Sequence, residues 1–190
     1  QGGLGMPDRD FYLGDGRMAE LRKQYQAYIA QMLQLAGVAD PAGKAQRILA
    51  LETKIAQAHA TQEETNDVTK GANPWTQADF SAKAPGMDWA AFLEAAKLGQ
   101  QQDFIVWQPK AVAGLSKLVA TEPLEVWKDY LAFHALDRAA VAAIADESSV
   151  PKKSRNIVKK GVSTSVALFK DSIIVHMMRW HTRAEWSNNR

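Results

Sequence analysis

The sequence predicts a mainly α protein: a multi-helix domain with long loops and at most one short strand or hairpin. Three observations carry this expectation. Apolar residues recur at helical spacing over several long stretches, beginning with Leu21, Tyr25, Ile29, Met32, Leu33 and Ala36. Capping residues stand where other stretches begin, Asp40 ahead of Pro41 and Thr76 three residues ahead of Asp79. Only Phe104-Ile105-Val106-Trp107 is a run of large apolar residues of strand length, and Pro109 ends it.

The first stretch predicts a helix over 18–36, with Gly37 as its stop. A second helix starts at Asp40-Pro41 and places Ile48, Leu51, Ile55 and Ala58 on one face, through about Ala60, so the two read as an antiparallel pair. Residues 61–74 (TQEETNDVTKGANP) lack periodic apolar residues and end in turn formers, the pattern of a long surface loop. Two short helices follow, one opened by Thr76 and one capped by Asp88 that carries Trp89, Phe92, Leu93 and Ala96. Residues 110–119 and 122–138 read as two more, the latter bearing Leu124, Trp127, Tyr130, Leu131 and His134. From Ser148 the style changes. Pro151 to Arg155 is basic and loop-like, and Val162, Val166, Phe169, Ile173, Val175, Met177 and Trp180 follow at irregular spacing.

With 190 residues, 46% hydrophobic and 23% charged, the chain suffices for one sizeable domain, or one domain with an appendage. No apolar run approaches a membrane span. The chain has neither an initiator Met nor a basic-then-apolar leader, so Gln1 reads as a processed or excised start. The absence of cysteine removes disulfides, thiol nucleophiles and cysteine metal sites. The net charge of +2 is unevenly placed: residues 148–190 carry +7, which leaves 1–147 at −5. The expected division is therefore a body over 1–147 and a basic extension over 148–190.

Most catalytic signatures are missing. A thermolysin-type zinc site needs two His at i and i+4 on one helix with a Glu between them as general base. The four histidines, His59, His134, His176 and His181, include no such pair. His176 and His181 are turned about 140° apart on an ideal helix. His134 lies on an apolar helix face, where a hydrogen-bonded core role is expected. G-x-S-x-G and Walker A are absent, and Gly2-Gly3-x-Gly5 lacks the preceding strand of a dinucleotide fold. Glu63-Glu64 reads as solvated surface. Trp75, Trp89, Trp107 and Trp127 offer either an aromatic peptide surface or core, and their helical spacing favours core. The scattered basic residues of the extension make no strong case for nucleic acid or membrane. No catalytic residue and no metal ligand is assigned.

The opening QGGLGMPDRDFYL carries the most information. Its glycines let the backbone take positive φ or press against a neighbour, Pro7 fixes a turn, and Arg9 stands between Asp8 and Asp10. GLGMPDRDFYL closely resembles the GLGLPDRDYY type of segment near the start of the neprilysin-like zinc metalloendopeptidases. ALETKIAQAHAT (Ala50–Thr61), NPWTQADFSAKAPGMDWAAFLEAAKL (Asn73–Leu98) and PLEVWKDYLAFHAL (Pro123–Leu136) resemble further blocks of that family in the same order. The resemblance covers about residues 1–147, and 148–190 show no match. It implies the N-terminal helical portion of such a peptidase: a non-catalytic cavity wall and peptide-positioning surface. In the complete enzyme a catalytic lobe supplies Zn²⁺ and cleaves peptides. It further implies that Arg9 holds part of the peptide substrate, the alternative being an Arg pinned by Asp8 or Asp10. It also implies an extracytoplasmic, periplasmic or secreted, enzyme. A stand-alone helical peptide- or protein-interaction module is the rival reading, and a lobe cut from its partner is expected to self-associate.

Overall fold

A computed structural model describes residues 2–145, with side chains described through residue 140. The elements are α1 (Arg9–Leu13), α2 (Arg17–Leu35), α3 (Pro41–Ala58), α4 (Gln62–Asn66), α5 (Val68–Gly71), β1 (Pro74–Thr76), α6 (Gln77–Lys83), α7 (Trp89–Ala95), β2 (Asp103–Ile105), α8 (Pro109–Thr121) and α9 (Leu124–Ala145). The described residues are thus mainly α. The strands pair antiparallel in register Pro74↔Ile105, Trp75↔Phe104 and Thr76↔Asp103.

Local chemistry explains where these helices begin. Asp40 accepts from the Gly43 N–H with Pro41 at the first helical position. Thr76 and Asp79 close a reciprocal capping box, and Asp88 accepts from the Ala91 N–H. The expected loop over 61–74 is instead broken by α4 and α5. Their cause is capping rather than periodicity: Thr61 and Glu64 form a second capping box, and Asp67 accepts from the Thr69 N–H. Neither helix is long enough to show an apolar period. The strand expected at 104–107 sits at Asp103–Ile105, and Val106 beyond it is buried. The last helix continues past 138 to Ala145 through an alanine-rich stretch that favours helix. The extension over 148–190 lies outside the described residues.

Two apolar clusters form. The larger gathers Tyr12 from α1, Tyr25, Ile29 and Leu33 from α2, Ile48, Leu51 and Ile55 from α3, and Tyr130 and Phe133 from α9. The smaller packs Trp75, Phe80, Ala84, Trp89 and Val106, with Phe80 5.1 Å from the rings of both Trp75 and Phe104. Helix α8 links them, with Leu118 against the first and Val112 and Ala113 against the second. Ser116, fully buried on α8, donates to the Ala84 carbonyl at 2.7 Å and accepts from the Met87 N–H at 2.9 Å. The turn between them needs Gly86, whose φ is +125° and where a Cβ would lie 2.5 Å from the Ser116 carbonyl oxygen.

Candidate functional site

The opening segment is an ordered strap sewn onto the larger core. Gly3 takes φ +83°, and its carbonyl accepts from the Tyr130 hydroxyl at 3.0 Å. Gly5 has no room for a side chain, because a Cβ there would lie 1.8 Å from the Tyr25 hydroxyl oxygen. The Gly5 and Met6 N–H groups donate to the Tyr12 hydroxyl at 3.1 and 2.8 Å. Both uses foreseen for the glycines, positive φ and close approach, therefore occur.

Under the strap lies Glu52, a carboxylate on the apolar face of α3 with no exposed surface. Tyr12 donates to Oε2 at 2.5 Å and the Gly5 N–H points to the same oxygen at 3.3 Å. Tyr25 donates to Oε1 at 3.0 Å, and His134 Nε2 lies 2.8 Å from it. A buried carboxylate costs several kcal/mol unless its lone pairs are met, and four groups meet them here. Burial first, and then the Glu52 charge, hold the Tyr12 and Tyr25 phenols well above their ordinary range, so both remain neutral donors. His134 is thus the hydrogen-bonded core histidine that the sequence suggested. Glu52 was overlooked; the available signal was one charged residue four positions from Ile48 on an otherwise apolar stripe.

The strap leads through Pro7 into α1. The Asp8 side chain caps it by accepting from the Asp10 N–H at 2.9 Å. Arg22 on α2 holds its far end, donating to the Phe11 and Gly14 carbonyls at 3.0 and 2.7 Å. Between these anchors stands Arg9, with 23% of its side chain exposed. One terminal nitrogen, Nη1, reaches Asp10 Oδ1 at 3.4 Å, the long limit of a hydrogen bond. Its Nε is buried without a partner among the described residues. Asp8 is occupied as a cap, so only the long Asp10 contact answers the pinning alternative.

His59 is the C-cap of α3, and burial, with a smaller push from Arg9, lowers its pKa to about 4. It is neutral near pH 7. Among the described residues no group of three or more His, Asp or Glu is placed to hold a metal ion. His59 and His134 occupy separate places, one at a helix end and one on Glu52, and they do not fit a shared zinc. His176 and His181 lie outside the described residues. Of the four tryptophans expected in the core, Trp89 on α7 and Trp75, which lies on β1 and not on a helix, are core at 7% and 5% exposure, while Trp107 and Trp127 are half-buried. Glu63 and Glu64 lie at the surface as expected, and Glu64 also closes the α4 capping box. No described helix is long and apolar enough to cross a membrane.

Comparison with known proteins matches the model of the N-terminal part of peptidase family M13 to residues 1–161, so the match expected to end near 147 continues into the extension, through residues 148–161. Human endothelin-converting enzyme 1 is 26% identical over 138 residues, 69% of this chain and 18% of that protein. The rat enzyme is 28% identical over 126 residues, 63% of this chain and 16% of that protein. Among solved structures, the zinc metalloprotease Zmp1 of Mycobacterium tuberculosis in complex with an inhibitor superposes with TM-score 0.67 at 30% identity, over 90% of this chain and 28% of that one. Its open state gives TM-score 0.65 at 27% identity, over 94% and 30%. The chain spans 18% or less of the length of these curated relatives.

Proposed function

The chain belongs to peptidase family M13, and from that premise we propose that it is the non-catalytic N-terminal portion of a zinc metalloendopeptidase. In the complete enzyme it forms one wall of the substrate cavity and helps to position a peptide. The catalytic lobe of the same enzyme supplies Zn²⁺, the general base and the stabilisation of the developing oxyanion. No step through zinc is assigned to this chain: its sequence holds no H-E-x-x-H, and no metal-holding group stands among the described residues.

The placement of Arg9 carries the positioning half of this reading. Its segment is held at Gly3, Gly5, Met6 and Phe11 by the hydrogen bonds described above, while among the described residues its guanidinium keeps only the long contact with Asp10. A guanidinium carried on a tethered segment, with its Nε unpaired among the described residues, suits a carboxylate, which takes two parallel N–H donors. The ligand is accordingly a peptide with a free C-terminal carboxylate. The parent enzyme is assigned to an extracytoplasmic compartment, on its likeness to the neprilysin-type enzymes.

A second reading, a helical module that binds peptides or proteins with no enzymatic partner, draws on exposed apolar side chains. Leu115 and Val119 on α8, and Leu124 and Leu131 on α9, are all more than a third exposed. Such side chains equally suit a missing lobe, and self-association of the isolated chain follows from either reading. Zinc content, together with cleavage of a quenched peptide with and without chelator, tests the non-catalytic assignment. No bound metal and no cleavage are expected. Stoichiometric zinc with chelator-sensitive cleavage overturns it.

A further inference from the structure

Tyr12 and Glu52 hold a position that packing alone does not require. Tyr12 lies on α1, three residues from Arg9, and only 2% of it is exposed. Its single hydroxyl receives the Gly5 and Met6 N–H groups and donates to Glu52, so one oxygen ties strap, α1 and α3 together. An apolar ring would fill the same space without fixing where the strap ends along α3. Glu52 in turn holds its place through α2 at Tyr25 and α9 at His134. Only Pro7 and Asp8 separate the pinned Met6 from Arg9. With φ fixed at Pro7 and α1 clamped by Arg22, little freedom remains between the pin and the guanidinium.

We propose that Tyr12, braced by the buried Glu52, is a positioning residue for Arg9: its hydroxyl sets the register of the strap and so the place where the guanidinium meets a peptide carboxylate. This rests on the reading of Arg9 as a carboxylate-binding group and deepens it. Neither Tyr12 nor Glu52 touches the ligand. Their contribution is that the guanidinium need not be ordered when the peptide arrives, an entropic gain that favours the acid over the amide.

The experiment titrates the full chain with N-acetyl-Ala-Phe-Leu as free acid and as amide, and takes the ratio of affinities. The wild type is expected to favour the acid about 10-fold or more, the scale of one charge-assisted pair. Arg9→Ala brings the ratio near one. Tyr12→Phe, which keeps the ring and removes the oxygen, is expected to lower the ratio at least 3-fold while the protein still melts cooperatively. A folded Tyr12→Phe with the wild-type ratio overturns the positioning role and leaves the Arg9 reading intact. An Arg9→Ala variant that keeps the ratio removes the Arg9 reading, and the positioning role with it. Should Tyr12→Phe fail to fold, amide exchange in the wild type decides. Gly5 and Met6 N–H exchange is expected to slow at least 2-fold with the acid and not with the amide. Equal exchange in both overturns the proposal.

Discussion

Replacing Gly5 by Ala puts a methyl group where a phenol already stands. The new Cβ would lie 1.8 Å from the Tyr25 hydroxyl oxygen and 2.7 Å from the ring carbon that bears it. Tyr25 has little room to retreat: it is 7% exposed, with Tyr12 and Phe133 edge-on at centroid distances of 6.5 and 6.2 Å. If the ring gives way, overpacking costs about 1–3 kcal/mol and the bond to Glu52 about 1 kcal/mol more. If the strap lifts instead, the Gly5 and Met6 hydrogen bonds go, at about 1 kcal/mol each. The buried Met6 side chain then adds roughly 1.5–3 kcal/mol. The cheaper response sets the loss, so about 2–4 kcal/mol is expected. For a chain of this size that is roughly 6–12 °C in melting temperature, at about 3 °C per kcal/mol. Calorimetric melts of wild type and Gly5→Ala measure it. Tyr25→Phe removes the clashing oxygen and should cost less in the Gly5→Ala background than alone, a coupling that a double-mutant cycle isolates. A Gly5→Ala protein that melts within about 1 °C of wild type would refute the docked strap.

Three further outcomes follow from the same structure. The His59 pKa lies below the unfolded value, so the unfolded chain binds more protons between about pH 6.5 and 4, and stability falls as pH drops through that window. Since the ring is only half-buried, about 1 kcal/mol is expected after solvent screening; unfolding at pH 7 and 4.5 should show a smaller acid loss in His59→Asn than in wild type. Thr76→Ala removes the side-chain half of the α6 capping box and leaves the backbone N–H of residue 76 on the Asp79 carboxylate; it should cost about 1 kcal/mol by denaturant titration, with an unchanged slope. Gly86→Ala sets a Cβ 2.5 Å from a backbone oxygen at φ +125° and should cost about 2 kcal/mol or more, whereas Gly16→Ala, in open space though also at positive φ, should cost less.

Features set by neighbours in sequence were readable from it. The cap at Asp40, the capping box at Thr76 and the cap at Asp88 each need only four consecutive positions, and all three occur as expected. Helices α4 and α5 were missed, although their caps were equally local, because four or five residues cannot display a period. The β1–β2 ribbon was half visible: Phe104 announced β2, but its partner Trp75 lies across two intervening helices. Glu52 showed in the sequence only as a lone charge on an apolar stripe, and the partners that make it a site are distant in the chain. Tyr12 is 40 residues away, Tyr25 27 and His134 82. Arg9 stood out only through the likeness of its flanking motif, since spacing says nothing of where a lone guanidinium points. Arg22, which clamps the end of α1, gave no signal in the sequence beyond its charge.

The most direct test of a peptide-positioning wall is the Arg9 side-chain Nε–H resonance. That nitrogen is buried without a partner among the described residues, so its proton should exchange slowly enough to be observed. Titration with N-acetyl-Ala-Phe-Leu should move this signal in a saturable way with the free acid and leave it in place with the amide. An Arg9 Nε–H signal indifferent to both peptides, at concentrations that shift other resonances of the chain, would contradict the assignment of Arg9 to peptide binding.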